Sequence, residues 1–520
     1  MLDQGLTPFI KEQQPLLYGL VVLLVLGIWL YRVSIATTNV PKIKGIPEIP
    51  GAIPIAGHLP LLGGSTGKAD TTVWTEWYQK YGWELFQMRF GQERVVVANT
   101  YSAIREIWVG NSAAVISRPI PYTVETFIGR EMGASPWDDA CKRQRGAAVK
   151  SVAAGTWQSF YPGLDQDTRS VVEQIKSQGE YGKKPMELGN ILSLVGMNLG
   201  FLLSYGKTSD DLGGPAFLHG FIKAASKITE VRVGSSNWVD YIPFLRVLPS
   251  RSVARAIEGV KERQPYLDRL YDSMKKDVEK GRDVHCIGAS MLSDKESRLT
   301  TDDVKATCIS MLQGSSETIA GVLTCGLGSL CASEAGIKLQ DELYSAIVEK
   351  WGSPENAFGR AFDSEDIPLV VATYKEMLRY YCIVTYALPR MTIRDITIKS
   401  GVTIPKGTTL FMNAEGGCHD TAFYGADAEI FNPYRFMDAK SPVSSTSLPH
   451  FAYGAGARIC PAMQISNRIL YAFIVRLVVS FRFVASKDRP PIDHPVKYNQ
   501  APAGFVAKIK PYDAYCVPRQ

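Results

Sequence analysis

Phe451-Ala452-Tyr453-Gly454-Ala455-Gly456-Ala457-Arg458-Ile459-Cys460-Pro461-Ala462 is the stretch on which the fold turns. It sets a cysteine between a glycine-bearing loop and an apolar run, Pro461 to Val479, whose spacing predicts a strong helix. Pro461 suits the first helical position, because its missing N–H would have no intrahelical partner there. The N–H groups and positive end of a helix lower a thiol pKa and favour the thiolate. Gly454 and Gly456 let backbone approach a flat ligand closely. Arg458 adds a cation to the same loop. Taken alone, Cys460 reads as one more small buried residue. Held as a thiolate, it can instead ligate a metal.

Two upstream segments decide between these readings. Glu376 and Arg379 lie three apart on the helical run Tyr374-Lys375-Glu376-Met377-Leu378-Arg379, so they share a face. By itself such a pair is an ordinary surface ion pair of little worth. Phe431-Asn432-Pro433-Tyr434-Arg435-Phe436 follows downstream. Gly314-Ser315-Ser316-Glu317-Thr318 lies within a long predicted helix that begins near Thr300-Thr301-Asp302-Asp303 and ends about Ser333. A hydroxyl in mid-helix bonds back to a carbonyl and bends the helix; without other motifs it is idle.

In order and distance the three segments resemble those of the cytochrome P450 family. Aligned on Cys460, the loop matches Phe-x-x-Gly-x-Arg-x-Cys-x-Gly through Gly456 and Arg458, with Tyr453 where Phe is usual and Ala462 where Gly is frequent. The resemblance implies a mainly α fold with a small β portion, and haem b (iron protoporphyrin IX) with Cys460 as axial ligand, pushing electron density toward O–O cleavage. Tyr453, Gly454, Gly456 and Arg458 then belong to the haem-binding loop. It implies a structural cluster in which the Glu376 carboxylate sits between Arg379 and Arg435. It assigns Thr318 and Glu317 to proton delivery during oxygen activation; Ser315 and Ile319 depart from that motif. Pro389-Arg390 resembles the strand Arg that pairs with a haem propionate. Trp137 resembles the start of the Trp-x-x-x-Arg helix that binds the other propionate; by strict spacing the Arg position is Cys141, and Arg143 or Arg145 could substitute. Lys142, Arg143 and Arg145 read either as a solvated basic face or as a docking face for an acidic flavin domain.

The rest of the chain fits around this centre. It has 520 residues, 46% hydrophobic and 21% charged, with a formal net charge of +6. No block of like charge suggests nucleic-acid binding. Nine cysteines, widely spaced and without C-x-x-C, argue against a disulfide framework or structural zinc. From Pro15 to Tyr31 no residue is charged, which predicts one transmembrane anchor over 15–33. Arg32, Lys42 and Lys44 follow it, so residues 1–14 are expected on the lumenal side and the body in the cytosol; the resemblance to microsomal, fungal-type members of the family implies the endoplasmic reticulum. Residues 34–64 carry Pro41, Pro47, Pro50, Pro54 and Pro60 between glycines and read as an extended tether. Residues 65–520 read as one domain, with a hairpin from Glu84 to Ala98 and helices over Thr168–Ser177, Met186–Leu203, Gly214–Thr229 and Ser252–Gly281, the last kinked or split at Pro265.

The tether segment around Ile43–His58 and the Ser135–Arg145 segment are similar to fungal phenylacetate, m-cresol and m-hydroxybenzyl alcohol hydroxylases. The resemblance implies a small aromatic substrate, oxygen, and electrons from an NADPH-dependent flavin reductase. Substrate contacts are expected from Tyr122–Met132, Lys227–Leu248 and Val384–Leu388. A reductase-independent haem-thiolate isomerase or dehydratase is the alternative, against which Glu317-Thr318 speaks; a haem sensor without turnover is a third.

Overall fold

The helices fall where the apolar spacing puts them. The computed structural model describes residues 17–29, 38–153, 155, 157–229 and 234–519. Its long helices are α1 Asp70–Tyr81, α2 Asp139–Ser151, α3 Tyr161–Gln178, α4 Leu188–Tyr205, α5 Pro215–Thr229, α6 Arg251–Glu279, α7 Thr301–Ser316, α8 Thr318–Ala332, α9 Glu334–Trp351, α10 Pro368–Tyr380 and α11 Met463–Ser480. The fold is mostly helical with a small sheet portion, as expected.

Helix α11 lies at the centre, and every side chain from Arg468 to Val479 is buried. Helix α6 continues through Pro265 as one helix and is not split there. A proline inside a helix costs about 3 kcal/mol. The buried face of α6, with Leu267, Leu270, Tyr271 and Met274, outweighs it at about 2 kcal/mol per side chain.

The long helix expected from Thr300 to Ser333 is two. Thr300 and Asp303 cap its start reciprocally, each side chain accepting the other's backbone N–H. At Glu317 (φ −99°, ψ −27°) α7 gives way to α8. Three hydroxyls donate back to carbonyls around this point: Ser315 to Leu312 (3.0 Å), Ser316 to Gln313 (3.4 Å) and Thr318 to Gly314 (2.6 Å). Such back-bonding competes with the helix ladder and bends it. Helix α4 presses on the other side, where a Cβ on Gly196 would lie 2.3 Å from the Ser316 carbonyl oxygen.

The main sheet has the order β1-β2-β6-β3. Strands β1 (Leu85–Phe90) and β2 (Glu93–Ala98) form the expected hairpin, turning at Gly91 (φ +54°). After β3 (Arg390–Met391), β4 (Ile396–Thr397) and β5 (Thr403–Ile404) pair apart, and β6 (Thr409–Met412) lies parallel to β2 and antiparallel to β3. Strands β7 (Phe481–Ala485) and β8 (Ala514–Pro518) pair near the C-terminus and were not foreseen.

At the N-terminal end Leu17–Trp29 is an apolar helix, exposed along its whole length. The stretch 1–14 and the ends of the 15–33 segment lie outside the described residues. Helix α4 also has the length and apolarity of a span, but it is mostly buried within the body. The tether expected over 34–64 is docked from Val40 onward. Val40, Ile43, Ile46 and Ile49 recur every third residue, and all four are buried, with a turn at Gly45 (φ +90°) between the second and third. The Gln87 side-chain amide donates to the Ile43 (2.8 Å) and Ile46 (2.5 Å) carbonyls, and His58 pins Ile49 (2.6 Å) to Arg89 N (2.9 Å). Prolines block a ladder on that edge, while the interleaved aliphatics still bury.

Candidate active site

Cys460 sits in a turn held from both sides. Its backbone N–H donates to the Tyr453 carbonyl (3.0 Å), closing the loop on itself, and the Tyr453 hydroxyl donates to Asn467 Oδ1 on α11 (2.7 Å). Helix α11 begins at Met463, with Ala462 as N-cap, so Pro461 lies in the turn before the helix rather than at its first position. Ala462 has φ −92°, which any L-residue adopts, so the loop needs no glycine there. Burial pushes the Cys460 thiol up; the Ala462 N–H and the Arg145 charge pull toward the thiolate. The helix end therefore helps but does not prevail alone, and a bound metal would be what deprotonates the sulfur.

The two loop glycines serve different ends. Both have positive φ, +70° at Gly454 and +68° at Gly456. A Cβ on Gly456 would lie 1.8 Å from the Trp108 carbonyl oxygen. Its bareness admits Trp108 rather than a flat ligand, contrary to expectation. A Cβ on Gly454 would meet no protein atom within 4 Å.

Around this turn four arginines converge: Arg118, Arg145, Arg390 and Arg458. Arg458 donates to the carbonyls of Met132 (3.0 Å), Ser135 (3.3 Å) and Ile116 (3.3 Å), with its guanidinium carbon 5.4 Å from the Trp137 ring centroid. Arg390 donates to Ala455 O (3.1 Å), Arg145 to Ile459 O, and Arg118 to Leu388 O (2.7 Å) and Pro389 O (3.0 Å). Among the described residues none of the four forms a salt bridge with a carboxylate. Burial and the charges of Arg390, Arg458 and Arg145 push Arg118 far down; burial, Arg458 and Arg145 push Arg390 down to about 9. The Nε–H groups of Arg118, Arg390 and Arg458 are buried without an acceptor. Buried guanidinium donors left this way call for anions. The two propionates of a haem, with Cys460 beside them, fit that requirement.

The candidates near Trp137 now separate. Arg145 joins the cluster, whereas Arg143 turns away to Asp303 (3.3 Å) and Lys142 pairs with Asp139 (2.8 Å). Cys141, at the strict motif position, is buried, its thiol pushed up by burial against the pull of Arg458. Arg118 was missed. Its only sequence signal is a cation among Val115, Ile116, Pro119 and Ile120.

Glu376, Arg379 and Arg435 meet as anticipated. Glu376 and Arg379 are wholly buried and bidentate (2.7 and 2.8 Å), Arg435 Nε reaches Glu376 Oε1 at 3.2 Å, and Asn432 N donates to the same oxygen (2.7 Å). Arg379 also donates to the Cys418 (2.8 Å) and Ala428 (2.7 Å) carbonyls, and Arg435 to Asp427 Oδ2 (3.1 Å). The cluster thus ties α10 to the loop that leads toward Cys460. Glu317 and Thr318 flank the α7–α8 break, where a Cβ on Gly314 would meet open space.

The three stretches expected to touch substrate come together. Thr123 N donates to Asp240 Oδ1 (2.7 Å), joining the first to the second, and Gly234 N donates to the Tyr386 hydroxyl (3.1 Å), joining the second to the third. Residues 230–233 of the second lie outside the described residues.

A model of the cytochrome P450 family matches residues 47–514. The chain is a cytochrome P450. This P450 is 33% identical over 489 residues to phenylacetate 2-hydroxylase of Emericella nidulans, covering 93% of this chain and 92% of that one. It is 30% identical over 449 residues to 3-hydroxyphenylacetate 6-hydroxylase of the same organism (85% and 84%). It is 26% identical over 457 residues to human steroid 21-hydroxylase (85% and 87%). Membership makes it an oxygen-using oxidoreductase with a haem-iron cofactor.

Proposed function

We propose that this P450 hydroxylates a small aromatic substrate, on the ring or at a benzylic methyl, with electrons from an NADPH-cytochrome P450 reductase. The observation that carries the reading is the arginine cluster beside Cys460, three of whose Nε–H groups are buried without an acceptor, together with the similarity to two fungal phenylacetate-type hydroxylases. Bound haem supplies the oxygen-activating chemistry. The protein's own part follows from its residues. Cys460 ligates the iron; Arg118, Arg145, Arg390 and Arg458, with Trp137, hold the propionates. The Glu376–Arg379–Arg435 cluster fixes the loop. Glu317, at the α7–α8 break, passes protons from solvent, and the Thr318 hydroxyl, bonded back to the Gly314 carbonyl, holds a water on that path. The apolar Leu17–Trp29 helix anchors the chain in the endoplasmic reticulum membrane with the body in the cytosol, where the reductase docks.

The test is product analysis in reductase-containing microsomes offered phenylacetate, m-cresol and a panel of aromatic polyketides. Hydroxylated product that depends on NADPH supports the reading. Turnover without NADPH or reductase would instead make the protein an isomerase or dehydratase.

A further inference from the structure

Residues 131–135 form a tight turn between the Cys460 loop and helix α7. The Glu131 carbonyl accepts from Ala134 N (3.0 Å), Ser135 N (3.0 Å) and the Ser135 hydroxyl (2.9 Å), so the turn is closed on itself. On one side Arg458, two residues before Cys460, donates to the turn's carbonyls at Met132 (3.0 Å) and Ser135 (3.3 Å). On the other side the turn meets α7 twice. Gly133 N donates to the Ser310 hydroxyl (3.3 Å), and the Gln313 side-chain amide donates to Glu131 Oε1 (3.2 Å). An ionised carboxylate only accepts, so the amide presents its NH2 to Glu131. Arg263 of α6 faces the same oxygen, its Nη1 3.8 Å away. The Glu131 and Arg263 side chains are 5% and 3% exposed, so the acid and its cation lie inside the body.

The place where the turn grips α7 gives the contact its meaning. Gln313 and Gly314 lie three and four residues beyond Ser310, so all three share one helix face. Gln313 is held through its main chain as well, its carbonyl accepting from the Ser316 hydroxyl (3.4 Å). The next carbonyl, that of Gly314, takes the Thr318 hydroxyl (2.6 Å) at the break. Holding residue 313 by both side chain and main chain therefore fixes where α7 ends and where Thr318 is bound.

We propose that Glu131 and Gln313 are positioning residues. They join α7, just ahead of its break, to the turn that Arg458 grips, so the Cys460 loop and the Thr318 hydroxyl keep one fixed relation. Glu131 accepts, Gln313 donates, and Arg263 balances the buried charge. The proposal rests on the monooxygenase reading only for the part of Thr318 in proton delivery. A pair that served stability alone would loosen the body throughout when broken; a positioning pair loosens the turn and the break.

The test is Gln313→Glu, close to the native shape, which replaces the donor by a second carboxylate facing Glu131. In full-length haem-loaded protein, amide exchange should rise about threefold or more in peptides covering 131–135 and 310–320, as expected for a lost contact between neighbours. Peptides from α11 should stay at the wild-type rate. With substrate, product per NADPH should fall several-fold with KM little changed. Combining Glu131→Gln with Gln313→Glu again sets an NH2 against a carboxylate, and should recover most of both losses. Gln313→Met removes the donor without adding charge; it should show the same pattern, and carries the test if Gln313→Glu does not take up haem. Wild-type exchange at 310–320 in these single variants overturns the proposal. So does a double variant no better than Gln313→Glu, or a rise in α11 equal to that at 310–320. Exchange needs no turnover. A wild-type protein without NADPH-dependent product sinks the proposed reaction, while exchange still decides the tie.

Discussion

Replacing Glu376 by Gln removes one charge from the middle of a wholly buried cluster. The two guanidinium groups do not suffer equally. Arg435 keeps Asp427, whose carboxylate is 40% exposed, at 3.1 Å. Among the described residues Arg379 has no second acid, and it falls back on the carbonyls of Cys418, Ala428 and Ile430. A carboxylate and a guanidinium about 4 Å apart attract by about 4 kcal/mol at an effective dielectric of about 20. Breaking a buried pair from one side costs about 3–5 kcal/mol, because the remaining charge stays buried. The amide oxygen of Gln can still accept from Asn432 N, but its NH2 must face an arginine N–H. We therefore expect about 4 kcal/mol of lost stability, close to a thousandfold in the folding equilibrium and a large share of the whole. The assay is the amplitude of the thiolate-haem carbon monoxide band per unit protein and its half-life on warming. Asp427→Asn serves as control and should cost less than about 1 kcal/mol, as expected for a half-exposed pair. A Glu376→Gln protein whose band and half-life lie within twofold of wild type would refute the reasoning.

Cys460→Ala should abolish the thiolate-haem carbon monoxide band in protein that still folds; a surviving band would remove Cys460 as the ligand. Arg118→Met takes one buried donor from the arginine cluster beside Cys460, and should speed haem transfer to an apo-globin acceptor while Lys142→Met leaves it unchanged. Glu415, buried beside Thr71 and pushed by burial up to about 7, binds a proton in the native state that the unfolded chain has lost above about 4.3. Its folding contribution thus declines as pH rises toward 7, so Glu415→Gln should stabilise the protein at pH 8 by on the order of 3 kcal/mol and little at pH 5, as urea unfolding at the two pH values will show.

What was legible in the sequence was local. The Cys460 loop, the Glu376–Arg379 pair and the Thr318 turn each carry their chemistry within a few residues, and Arg435 came with its own short segment. The arginine cluster was only half legible, because residues 118, 145, 390 and 458 meet only when the 116–135 stretch, α2 and β3 pack onto the loop. Strict spacing pointed to Cys141. One helical turn later, Arg145 reaches the Ile459 carbonyl instead. The docked tether was obscured by its prolines, which exclude a strand ladder but not burial of every third side chain. Gly456 misled because a glycine that admits a ligand and one that admits a neighbouring carbonyl look alike until Trp108 is in place.

Thr318 shows how a hydroxyl can serve both the bend and the proton path. It has one O–H and two lone pairs. The O–H is committed to the Gly314 carbonyl at 2.6 Å, and that bond is part of what parts α7 from α8. In this arrangement Thr318 has no free proton of its own to deliver; its lone pairs can accept a hydrogen bond from a water or a substrate hydroxyl. Thr318→Ala loses both the back bond and the acceptor, so NADPH consumption should continue while product per NADPH falls about tenfold or more, within the range for one proton-transfer group. Thr318→Ser keeps O–H and lone pairs at the same backbone position and should stay within about twofold of wild type. Thr318→Val, matched in shape but lacking the oxygen, should behave like Ala. Were Val to couple as well as Ser, the hydroxyl would have no part in proton delivery, and the helix break alone would account for the motif.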